Sequence, residues 1–126
     1  MEITKKNITG KLRTVGTLEI NWESLENLDT NGQPISTKEK VEILKLTFGE
    51  DLRIRNNCTK VKMSGGQPNI SIDQEKMTIQ NLKKSIILAP FEITEEGISD
   101  LDKLVAAELL EAFNNLNVPQ EKKNTN

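Results

Sequence analysis

The apolar residues of this 126-residue chain change their spacing once, near Pro90, and that change limits the folds open to it. Before it, short runs alternate apolar and polar residues with the two-residue period of strands, and turn-forming residues separate the runs. After it, Leu101, Leu104, Val105, Leu109, Ala112, Phe113 and Leu116 recur at helical spacing, with Ala106 and Leu110 widening the same face. The expected fold class is therefore α+β: an antiparallel β-rich region of about six to seven short strands, packed by one C-terminal amphipathic helix.

The strands are expected at 10–21, 40–48, 52–55, 59–63, 69–73, 76–80 and 83–88. Turns are expected at Asn31-Gly32-Gln33-Pro34 and at Ser64-Gly65-Gly66-Gln67-Pro68, because glycine admits positive φ and proline cannot donate to a strand ladder. The segment 40–48 also carries a helix-style capping box at Ser36 and Glu39, but its alternation reads as strand. The similar stretches that start at Gly32-Gln33-Pro34 and Gly66-Gln67-Pro68 align only with gaps, which favours coincidence over an internal repeat. Thr94 or Ser99 can cap the C-terminal helix, which runs to about Leu116, before Pro119. One domain over 1–117 and a disordered polar tail over 118–126 complete the reading.

The composition removes several chemistries. There is no histidine and no tyrosine, so the usual general base, the usual partner of a Ser or Cys nucleophile and the commonest metal ligand are all missing. The one Gly-Lys pair, Gly10-Lys11, has Lys5 where a phosphate-cradling loop needs its first glycine. Asp100 and Asp102 stand about 200° apart on a helix, and suit a helix start better than a metal site. The chain thus reads as a non-enzyme with no metal and no cofactor. A lone cysteine, Cys58, excludes an internal disulfide, and the absence of a long apolar run or an apolar leader points to a cytoplasmic protein with no membrane partner.

Two features carry functional expectations. The first is the helix, whose apolar arc spans roughly half the circumference where a stripe of about 100° serves a helix lying on its own sheet. Either the helix sits deep in its own core, or Leu101, Val105, Leu109, Leu110 and Phe113 form a partner-binding or self-assembly face. The second is a basic hairpin turning at Asn56-Asn57, which would place Arg53 opposite Lys60 and Arg55 opposite Cys58, with Lys62 on the same face. Arg53, Arg55, Lys60 and Lys62 are then candidates for holding a small anion such as a nucleotide or phosphate.

Charge is unevenly spread despite a net −2: residues 52–84 hold seven basic and two acidic side chains, and 91–111 hold one basic and seven acidic. Opposite patches suit head-to-tail assembly. Nucleic acid is disfavoured, since the aromatic residues are Trp22, Phe48, Phe91 and Phe113, the phenylalanines read as core, and the clear helix is acidic. Protein binding or formation of a homo-oligomer comes first, with anion binding or sequestration as the alternative. Size, few aromatic residues and an Asn, Lys, Ile and Glu bias associate the chain with phage or mobile-element accessories. Such a protein would be an assembly component or an inhibitor of a host system, acting in the host cytoplasm.

Overall fold

The computed structural model describes residues 1–118, and the tail expected at 118–126 lies outside them from Pro119 onward. It has the α+β class read from the sequence, with six strands, all paired antiparallel, and four helices among the described residues. A four-stranded sheet is formed by β1 (Glu2–Ile8), β2 (Lys11–Leu28), β3 (Pro34–Leu44) and β6 (Ile86–Leu88), in that spatial order. Helix α1 (Phe48–Asn57) leads into a separate two-stranded hairpin, β4 (Thr59–Ser64) and β5 (Gln67–Ile72). Helix α2 (Gln74–Ser85) returns the chain to β6, and α3 (Glu95–Ser99) and α4 (Lys103–Asn117) close the fold.

The turns follow from residue chemistry. Both β1–β2 and β4–β5 are joined by two residues at positive φ, Thr9-Gly10 and Gly65-Gly66. That is the signature of a type I′ turn, whose twist matches that of the flanking strands. Gly32, also at positive φ, sits in the turn expected between β2 and β3, where Asp29 Oδ1 accepts from the backbone of Asn31 and Gln33.

On one face of the sheet Ile20, Val41 and Ile43 join Leu82, Ile86 and Ile98 and the α4 residues Val105, Leu109, Ala112, Phe113 and Leu116 in a single buried cluster. Trp22 and Phe91 flank it with ring centroids 5.7 Å apart. Asn117 fastens the end of α4: its Oδ1 accepts from Leu46 N at 2.7 Å, and its Nδ2 donates to Phe113 O. Val15 and Leu44, opposite one another on the other face, are buried outside that cluster, as are Ile54 and Cys58. Arg13, on the face of Val15, reaches Glu50 of α1.

Several expected strands are helices instead. The segment 52–55 lies in α1, and 76–80 and the first half of 83–88 lie in α2, with strand from Ile86 to Leu88. Local capping decided these positions. Thr47 and Glu50 form a reciprocal capping box that starts α1, and Asp73 accepts from Lys76 N to start α2. Strand β3 begins at Pro34 and ends at Leu44, so Ser36 and Glu39 cap nothing and Phe48 opens α1. Strand β1 was not anticipated, having little alternation of its own; its full register with β2 supplies the order. The single C-terminal helix is two, because Thr94 caps α3 while Asp102, rather than Ser99, caps α4. The acids Glu95, Glu96 and Asp102 do serve helix starts, but Asp100 instead ends α3 as its C-cap.

Candidate functional site: an exposed hairpin and an acidic groove

The hairpin turning at Asn56-Asn57 does not exist, because both residues belong to α1. Its four cations are divided between two elements, Arg53 and Arg55 on α1, and Lys60 and Lys62 on β4. Arg55 pairs with Asp51 at 3.2 Å across one helical turn, and Lys60 pairs with Asp73 at 3.3 Å. The hydrogen bond from Lys76 N, aided by Lys60, holds the Asp73 carboxyl below the ordinary aspartate range. The four side chains therefore do not form the single basic face the sequence suggested.

A different hairpin stands in its place. In β4–β5, Thr59 pairs with Ile72, Val61 with Ile70 and Met63 with Pro68. Directly opposed residues share a face, so these six form one surface, apolar except at Thr59. Lys60, Lys62, Ser64, Gln67, Asn69 and Ser71 form the polar one. Every residue of both strands is exposed: Val61 is 62%, Met63 69% and Ile70 67% accessible. The base is closed where Asp73 N donates to Cys58 O at 2.8 Å, so α1 and α2 hold the two ends of the hairpin together while its body stands clear. Its segment contains two lysines and no acid.

The broad face of α4 is mostly spent on the protein's own core. Val105, Leu109 and Phe113 are buried there, and Leu101 and Leu110 are partly buried against it. The surplus arc is accounted for by a helix set deep, packed by the sheet, α2 and α3. Leu104 is different, at 75% exposed. It lines a groove of about 440 Å³ where the start of α4 passes the far part of β2. Trp22, Leu101, Leu104 and Val105 give this groove its apolar surface. Glu23, Asp100, Asp102 and Glu108 line it with carboxylates, and among the described residues no basic side chain lines it.

Phe48, expected in the core, is 83% exposed at the start of α1. Thr47 and Glu50 must occupy their capping positions, and that geometry turns Phe48 outward. Sequence reasoning also missed the apolar row of the β4–β5 hairpin. Its signal was present in the alternation of Val61 and Met63 with Lys60 and Lys62, but alternation cannot tell whether anything covers the apolar side. Among the described residues no helix is long and apolar enough to cross a membrane, and no group of three or more acidic or cysteine side chains is placed to hold a metal ion. Comparison with known proteins finds no matching family model, no matching curated protein and no matching solved structure.

Proposed function

We propose that this chain is a non-enzymatic protein-binding or self-assembling protein whose docking element is the β4–β5 hairpin. The observation that carries the reading is the row of Val61, Met63, Ile70 and Ile72, exposed together on one face of an isolated strand pair. A two-stranded hairpin is marginal in water when it has no apolar surface to pack against. Burying each such side chain against a partner would contribute about 1.5–3 kcal/mol. An apolar centre containing methionine is the composition found at the core of protein interfaces. The unpaired outer edges of β4 and β5 offer backbone groups to the same partner.

Native mass spectrometry of the freshly purified chain and of its Val61→Asp/Ile70→Asp variant tests the reading. The wild type should carry an additional protein mass, either its own chain or another, and the variant should lose it while keeping the circular dichroism of the fold. Identical spectra for the two proteins would overturn the proposal.

A further inference from the structure

We infer that the partner is a second copy of this chain, and that the tip of the β4–β5 hairpin of one molecule seats in the groove between β2 and α4 of the next. This rests on the hairpin being a docking element. One molecule presents two complementary surfaces, of which only Lys60, paired with Asp73, and Asp102, capping α4, are already engaged within it. The hairpin carries Lys60 and Lys62 with no acid between Thr59 and Ile72. The groove carries Glu23, Asp100, Asp102 and Glu108 and, among the described residues, no base. Among the described residues none of these four carboxylates is in an ion pair, and neither is Lys62.

Apolar groups match as well. Val61 and Met63 project from the face of β4 opposite the lysines, so a seated tip would turn its apolar face to Leu104 and Trp22 and its polar face to the acids. At about 440 Å³ the groove falls in the range of about 300–1,000 Å³ that encloses a drug-sized ligand, so it admits side chains near the hairpin's tip rather than the whole hairpin. The hairpin does not fill the groove of its own molecule, since all its residues are exposed. A contact between two different patches is heterologous, and it propagates to a closed ring or an open chain of subunits. The facing charges would fix the register and speed encounter, and salt would weaken the contact.

Sedimentation of the purified chain alone, over micromolar to submillimolar concentrations, tests this. The wild type should sediment above monomer mass. Hairpin variant Val61→Asp/Met63→Asp and groove variant Leu104→Glu should each be monomeric, and mixed together they should form a two-chain complex that grows no further, because each retains one working patch. Independently, Lys62→Glu and Glu23→Lys/Glu108→Lys should each weaken self-association roughly tenfold or more, and mixing these two should restore it. Persistent assembly of Leu104→Glu would mean that hairpins pair with each other and would overturn the groove assignment. A monomeric wild type, or a mixture that stays monomeric, would overturn the inference, while a different protein retained by the hairpin in native spectra would leave the docking role standing.

Discussion

Arg13 on β2 and Glu50 in the first turn of α1 form a 2.5 Å ion pair with side chains only 16% and 13% exposed. Glu50 does several things at once: the same Oε1 accepts from Thr47 N in the capping box, and Arg13 also donates to Lys45 O. Burial pushes the Glu50 carboxyl up, but the Thr47 hydrogen bond and the Arg13 guanidinium outweigh it, and the group sits below its ordinary value of 4.5.

Glu50→Gln should therefore destabilise the fold by about 1–3 kcal/mol at neutral pH, since it leaves Arg13 largely buried without its charge partner. A carboxyl with a depressed folded-state pKa contributes stability above its unfolded pKa and loses it as pH falls through the lower, folded one. In urea unfolding series run from neutrality into acid, the wild type should lose stability below about pH 4.5, and Glu50→Gln should show a shallower loss. Parallel curves would refute this role for the pair.

Thr9 occupies positive φ in the β1–β2 turn, a conformation that costs an L-residue roughly 1–2 kcal/mol and suits a β-branched one least. Thr9→Asn should raise stability by about 0.5–1 kcal/mol, because asparagine tolerates this region. Thermal melts of the two proteins decide it, and an unchanged or lower midpoint would count against a strained turn.

Gly97 has a different reason to be glycine. A Cβ there would lie 2.0 Å from the backbone oxygen of Glu92, and backbone cannot swing aside as a side chain can. Gly97→Ala should cost about 1–3 kcal/mol or more through displacement of α3. By contrast Gly49→Ala, whose new Cβ would meet only the end of the Arg53 side chain at 3.7 Å, should be tolerated. Equal melting temperatures for these two variants would remove the close-approach argument.

Leu109 and Leu104 test whether α4 has one buried and one available side. Leu109 is completely buried, so Leu109→Ala should cost about 2–5 kcal/mol. Leu104→Glu should change stability by no more than about 0.5 kcal/mol. Chemical denaturation of each variant at a concentration where the chain is monomeric gives both values.

What could be read in the sequence depended on how many residues shared a signal. Helix α4 presents a repeated 3.6-residue pattern over four turns, and glycine pairs announce the Gly65-Gly66 turn, so both were legible. Helix α1 buries a single hydrophobic residue, Ile54, and the spacing of Leu52 and Ile54 imitates a strand. Its legible mark was Thr47 three residues before Glu50, a signature of two side chains rather than of periodicity. Of the expected site residues, Lys60 and Lys62 keep a common strand face, but Arg53 and Arg55 left it when 52–55 proved helical. The groove was not legible at all. Trp22 and Leu104 are 82 positions apart in the chain, and only the packing of α4 along β2 makes them neighbours.

The bond from Asp73 N to Cys58 O has a further consequence. It lets α1 pass to α2 across a closed neck, so the stretch from Thr59 to Ile72 behaves as an insert whose contents the core never inspects. Under the docking role proposed above, its sequence answers to whatever it touches outside the molecule. Lineages of such a chain could exchange this insert wholesale, acquiring a new specificity in one step while the sheet and α4 stay as they are.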